Sequence, residues 1–180
     1  MKHLRREERL RFLDEAGATT ILTRLYARAV GGSRTTEAVP RNYGASTSMI
    51  STLGATGVEA TMTVEGSVDT LVFNAYCEHI LRPTLRPGDV IVLDNLGAHR
   101  AIRIKEITGR CGARVLWLPP YSPDFSPIEL MWSKVKAYLK KVKARTQEQL
   151  ESAIKAALET VTISDCRNWF RHCGYEVTSN

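Results

Sequence analysis

Val90-Ile91-Val92-Leu93 is a continuous apolar run of strand formers, preceded by a turn at Pro87-Gly88 and ended by Asp94. A strand with no polar alternation has to be covered on both faces, so this run calls for a sheet with helices on either side. The residues that follow supply the rest of such a unit: a helical stretch from about Ala98 to Arg110, then a second strand from Arg114 to Leu118, stopped by Pro119-Pro120. Strand, helix and strand in that order imply parallel pairing. Asp94 is therefore expected at the C-terminal tip of a buried parallel strand.

The same reading extends to the rest of the chain. Leu10-Arg11-Phe12-Leu13-Asp14 is expected to form a short, half-buried strand with a second acid at its end. Leu22, Leu25, Tyr26 and Ala29 have helical spacing and predict a short helix over Thr20 to Ala29, before the turn at Gly31-Gly32-Ser33. Val58, Ala60, Met62 and Val64 alternate with polar residues as in a strand, and Met49 to Leu53, across Ala55-Thr56-Gly57, is the expected hairpin partner. From Ser67 as N-cap, Val68, Leu71, Val72, Ala75, Tyr76 and Cys77 trace a helix ending before Pro83. Three further helices are expected: Pro127 to about Lys143, Thr146 to Thr160, and one beginning near Ser164-Asp165. With no repeat, low-complexity segment or linker, residues 1–180 read as one α/β domain, a mixed sheet flanked by helices with a helical C-terminal part.

Composition narrows the class further. No apolar run approaches the roughly 20 residues of a membrane helix, and the basic start Met1-Lys2-His3-Leu4-Arg5-Arg6 precedes no signal-peptide core, so a soluble intracellular protein is expected. Cys77, Cys111, Cys166 and Cys173 lack paired CxxC spacing and read as reduced thiols. The alternative is a structural zinc site built from Cys166, His172, Cys173 and a fourth ligand. Twenty-five Lys+Arg against 19 Asp+Glu, a formal +6, favour a polyanionic partner over a merely solvated surface only if the charges cluster.

Two aspartates at strand ends and a glutamate in the first turn of a helix can converge where parallel strands deliver their C-terminal ends. Three carboxylates in one place repel, and hard divalent cations such as Mg²⁺ or Mn²⁺ are what neutralise them. The segments Leu93-Asp94-Asn95-Leu96-Gly97-Ala98-His99 and Leu118-Pro119-Pro120-Tyr121-Ser122-Pro123-Asp124-Phe125-Ser126-Pro127-Ile128-Glu129 resemble the second and third acidic motifs of mariner-like and related bacterial insertion-sequence transposases. The 34 residues between Asp94 and Glu129 match the spacing of that superfamily's Asp-Asp-Glu triad, and Phe12-Leu13-Asp14-Glu15 resembles its first acidic motif.

The resemblance implies a ribonuclease H-like fold with Asp14, Asp94 and Glu129 as the catalytic, metal-binding triad. It also implies two Mg²⁺ or Mn²⁺ ions and double-stranded DNA, both transposon ends and target, as partner. A homodimer in the DNA complex is the expected assembly, and a bacterial cytoplasm, with nucleoid association on DNA, the expected location. Two features depart from the family: Ser126 stands where Asn is common, and only 13 residues precede Asp14, leaving no room for the usual helix-turn-helix recognition module. The chain thus reads as the catalytic half of a split gene or a truncated copy.

At 100° per residue, Glu129, Ser133, Lys136, Lys140 and Lys143 fall on one line of the helix, while Ile128, Met131, Trp132, Val135, Leu139 and Val142 form its apolar stripe. Lys136, Lys140 and Lys143 are thus candidate DNA contacts leading toward Glu129, set against the plainer reading of a solvated lysine face. Glu15 rivals Asp14 but should face the other side of the strand, and Asp124 rivals Glu129 but sits in a proline-flanked loop. His99 reads as a capping or surface residue, Trp117 and Trp132 as core, and Arg34 and Arg41 as loop residues that either touch DNA or are solvated.

Overall fold

Charged and apolar residues alternate from Arg9 onward. In the computed structural model, which describes residues 9–24, 44–94, 97–120 and 122–177 together with positions 26, 31, 36 and 38, that segment opens a long strand, β1 (Arg9–Thr19). The hairpin β2 (Ser46–Gly54) and β3 (Gly57–Glu65) follows. Helix α1 (Thr70–Ala75) leads through a π-helical turn (Tyr76–Leu81) and a 3-10 turn (Arg82–Thr84) into β4 (Asp89–Leu93). Helix α2 (Ala98–Arg110) and β5 (Arg114–Trp117) complete the crossover, and α3 (Pro127–Val142), α4 (Gln147–Glu159) and α5 (Ile163–His172) come last.

The strands form one mixed sheet in the order β3-β2-β1-β4-β5. β1 is central, antiparallel to β2 on one edge and parallel to β4 on the other. β4 is buried throughout, as an uninterrupted apolar run requires. Alternation sorts the side chains into two layers. Phe12, Ala16, Ala18, Met49, Val90 and Val92 pack with α3, α4 and α5, where Phe12 meets Phe170 and Tyr175 with ring centroids 5.3 and 5.1 Å apart. Leu13, Ile50, Ile91 and Leu93 pack with α1, the π turn and α2 on the other face.

That second face also buries a charge. Arg11 and Asp89 are each 1% exposed and 3.3 Å apart. The guanidinium also meets Glu59 at 2.7 Å and donates to the Thr84 carbonyl and the Thr84 and Thr52 hydroxyls. Burial of the guanidinium is tolerable because both terminal nitrogens are satisfied in this way, although Nε finds no hydrogen-bond partner among the described residues.

Several expectations are corrected. β1 does not end at Asp14: it runs on to Thr19 because its outer edge stays paired with β2 as far as Thr19↔Ser46. Only the parallel pairing with β4 stops near Asp14. Of the helix expected over Thr20 to Ala29, the described part, Thr20 to Arg24, is not helical; Leu22 N–H closes a turn onto the Thr19 carbonyl, and Arg145 Nη1 donates to the carbonyls of Thr20 and Leu22. Position 25 and positions 27–30 lie outside the described residues. Asp69, not Ser67, caps α1, its Oδ1 accepting from Val72 N–H at 2.8 Å. Helical winding continues through Pro83, first widened so that Arg82 N–H bonds to the Cys77 carbonyl, then tightened to 3-10. Helix α3 stops at Val142, and Lys143 takes a left-handed conformation (φ 55°) as its C-cap. Val142, expected in the apolar stripe, is 47% exposed, although Leu139 before it and Ala144 after it are buried in the core.

Candidate active site

The β1–β4 register pairs Arg9 with Asp89 and Phe12 with Val92. Carried on two residues, the same offset sets Asp14 beside Asp94. Asp14 has the parity of Phe12, so its carboxylate belongs to the α3 face of the sheet, while Asp94, just past the end of β4, bears on the charges of both Asp14 and Glu15. Glu129 is in the first turn of α3, whose start is set by Pro127 and by Ser126 as N-cap. Ile128, Met131 and Trp132 anchor that turn in the core, which leaves Glu129 exposed beside the two aspartates. The three residues named from the sequence are thus brought to one end of the β1–β4 seam by three different elements.

Electrostatics record the convergence. Burial, with smaller contributions from the Glu129 and Asp94 charges, pushes the Asp14 carboxyl up to about 7, against hydrogen bonds from the Glu15 backbone N–H and Trp132 that favour the ionised form. A carboxyl desolvated beside two other acids is the environment that a divalent cation relieves. As they stand, the acids do not close into a cage: among the described residues, no three His, Cys, Asp or Glu side chains are grouped to hold an ion. The same holds at the zinc alternative, where Cys166 and Cys173 are buried thiols.

A cavity of about 200 Å³ opens beside the acids, lined by Leu13, Asp14, Glu15, Asp94 and Arg100. Glu15 turns to the α2 face, as alternation requires, where Arg100 Nη1 donates to its Oε1 at 2.9 Å. Arg100 also donates from Nη2 to the Val68 carbonyl and lies over the Phe73 ring, 5.3 Å from its centroid.

Two participants escaped the sequence reading. Trp132, expected only as core, is 2% exposed and donates from its indole Nε1 to Asp14 Oδ2 at 3.0 Å. Arg100 was not singled out at all. The one available signal was spacing: Trp132 follows Glu129 by three residues, close enough on a helix to meet the same neighbour. Of the remaining residues, Asp124 is exposed in the 3-10 turn Pro123–Phe125, as a loop-shaping role requires. Trp117 is half-buried, with Lys105 Nζ 5.7 Å from its ring centroid. Lys136, Lys140 and Lys143 are half-buried, and Lys143 lies beyond the helix line that carries the other two. The side chain of His99, and residues Arg34, Arg41 and Tyr121, lie outside the described residues.

A central strand with an antiparallel hairpin on one side, parallel neighbours on the other and acids at the seam defines a ribonuclease H-like domain. The chain belongs to the DDE superfamily endonuclease family, whose sequence profile matches residues 9–151. It is similar to the transposable element Tcb1 transposase of Caenorhabditis briggsae, 28% identical over 105 residues covering 56% of this chain and 38% of the relative. The Tcb2 transposase of the same organism is 26% identical over 113 residues, 61% of this chain and 41% of the relative.

Among solved structures, a pre-cleavage Mos1 transpososome aligns with a TM-score of 0.74 at 14% identity, over 92% of this chain and 52% of the other. The catalytic domain of Mos1 mariner transposase aligns with a TM-score of 0.63 at 12% identity, over 92% and 76%. At such identities the structural likeness shows the fold. The chain spans about two fifths of the curated relatives' length. Among the described residues, no helix is long and apolar enough to cross a membrane.

Proposed function

We propose that the chain is the catalytic domain of a DNA transposase, which cleaves transposon-end DNA and transfers the resulting 3′-hydroxyl ends into target DNA. The observation that carries this reading is the convergence of Asp14, Asp94 and Glu129, from β1, the end of β4 and the start of α3, with Asp14 feeling both other charges. The donor set fits Mg²⁺ or Mn²⁺: three hard carboxylates, one of them desolvated, with no soft ligand at the seam. Mos1 mariner paired-end complexes, which share the fold, have been solved with Mn and with Mg.

In the proposed site, Asp14 and Asp94 would hold the cations and Glu129 would complete their coordination. When bound, two such ions activate a water or a 3′-hydroxyl on one side of a phosphorus and stabilise the leaving oxygen on the other. Asp14, paired with Ser51 of β2 and bonded by Trp132, supplies the rigid member of the set. Glu129, exposed at a helix start, can turn toward the cations without disturbing the core. Lys136 and Lys140, joined at the helix end by Lys143, bind the phosphate backbone and lead the duplex along α3 to Glu129. The DNA complex is a homodimer, one catalytic domain for each transposon end. The motif resemblance supports reading the chain as a bacterial insertion-sequence product that acts on the nucleoid.

The test is nicking of supercoiled plasmid by the purified chain with Mn²⁺ or Mg²⁺, beside Asp94→Asn and Glu129→Gln variants that keep shape and remove charge. Nicking that needs the cation and disappears in both variants supports the site. Joining of a labelled 3′-hydroxyl oligonucleotide to plasmid then separates a transposase from a nuclease of the same fold. Nicking that survives both substitutions overturns the assignment, and a wild-type chain inert on every substrate supports a DNA-binding remnant instead.

A further inference from the structure

A buried indole N–H needs an acceptor, and in most cores a backbone carbonyl serves. Trp132 instead donates to the carboxylate of Asp14, across 118 residues of sequence, with the ring body packed in the core between the sheet and α5. The bond constrains two things. It holds Oδ2 of Asp14, limiting rotation of a carboxylate that would otherwise swing away from its acidic neighbours. It also ties α3 to β1 one turn beyond Glu129, so that any slip of the helix along the sheet that misplaced Glu129 would first have to break it.

We infer that Trp132 is a positioning residue for divalent-cation binding, its indole N–H fixing both the orientation of Asp14 and the register of Glu129 against it. The inference rests on the proposed reading of Asp14 as a metal-binding carboxylate. Groups that hydrogen-bond to a metal's ligands commonly change its affinity by 10- to 100-fold when removed, which sets the scale of the effect.

The experiment measures Mn²⁺ binding directly, from the electron paramagnetic resonance signal of the unbound ion, with no DNA and no turnover. Trp132→Phe keeps an aromatic ring in the core and removes the donor. The expected result is an Mn²⁺ dissociation constant raised about tenfold. Phe170→Leu, a core substitution in α5 whose ring packs on Phe12 and Tyr175, should lower the melting temperature and leave the constant unchanged. If Trp132→Phe fails to fold, benzothienylalanine at position 132, the same shape with sulfur in place of N–H, carries the test and should weaken binding to the same extent.

Asp14→Asn separates the two levels of the argument. If it abolishes Mn²⁺ binding while the donor-free variant binds as tightly as wild type, the positioning role is wrong and the metal site stands. If Asp14→Asn itself binds like wild type, the reading of Asp14 fails and this inference falls with it.

Discussion

Arg100, in the first turn of α2, holds Glu15 on β1 through a 2.9 Å bond, one residue beyond Asp14. The pair lines the α2 side of the cavity, while Trp132 holds Asp14 from the α3 side of the sheet. Both contacts grip the same two-residue stretch of β1 from opposite faces of the sheet. Because the ion pair is only partly buried, its direct worth is modest, about 1 kcal/mol. A double-mutant cycle with Arg100→Gln and Glu15→Gln, read by urea unfolding, should return a coupling of that size. Arg100→Gln should in addition slow plasmid nicking at saturating Mn²⁺, because it loosens the helix start that follows Asp94.

Asp14 should make the metal-free protein weaker as pH rises. Its carboxyl is raised to about 7 in the folded chain and returns to the ordinary value near 4 on unfolding, so between those values the folded state holds a proton that the unfolded state has released. Stability therefore falls as pH climbs from 4 to 7 and stays low above it. Asp14→Asn removes the effect: in EDTA its melting temperature should exceed that of wild type by several degrees at pH 8, and the two should converge near pH 4. Millimolar Mn²⁺ should stabilise wild type at pH 8 and leave Asp14→Asn unmoved. Scanning calorimetry across pH, with and without the cation, decides it.

Far from the acids, Arg11 and Asp89 carry the most consequential ion pair of the core, each 1% exposed. Asp89→Ala leaves a buried guanidinium with one fewer acid and should cost about 3–5 kcal/mol in urea unfolding. Replacing both, as Arg11→Met with Asp89→Ala, should recover much of that loss, since no fully buried charge remains and Glu59, partly exposed, keeps Arg9. A double variant no better than the single one would mean that the hydrogen bonds of Arg11 to Thr52 and Thr84, rather than charge balance, hold this end of the sheet.

Lys136 and Lys140 lie on the proposed path of DNA toward Glu129. Binding of a fluorescent duplex, followed by anisotropy from low to moderate NaCl, should weaken in Lys136→Ala and Lys140→Ala, with the slope of log affinity against log salt reduced by about 1 for each. Lys134 is the control on the same helix: its Nζ is held by Asp165 at 2.7 Å and the Thr160 carbonyl at 2.8 Å. Lys134→Ala should lower stability and leave the salt slope alone.

Much of the architecture is legible in the sequence alone. The unbroken run Val90 to Leu93 called for a doubly covered strand, and α2 and α3 begin where their patterns said, because helical and strand periods are local properties of the chain. The placement of Asp94 and Glu129 could be read for the same reason, one closing an apolar run and the other opening an amphipathic helix behind a proline, while their reading as catalytic acids rests on the motif resemblance. β1 was legible only as far as Asp14. Beyond it, Glu15-Ala16-Gly17-Ala18 carries little strand preference, and what keeps it extended is β2 alongside.

Tertiary structure decided the rest. Periodicity says which face of an element is apolar; it does not say which residue of another element stands opposite. That Asp14 lies level with Asp94 follows from the β1–β4 register. That Trp132 bonds Asp14, Arg100 bonds Glu15 and Arg11 meets Asp89 follows from β1 being threaded between β2 and β4, with α2 and α3 on opposite faces. Sequence determined the elements and the acids they present. Packing determined how those acids are held, because contacts across 78 to 118 residues depend on strand order, which no local pattern encodes.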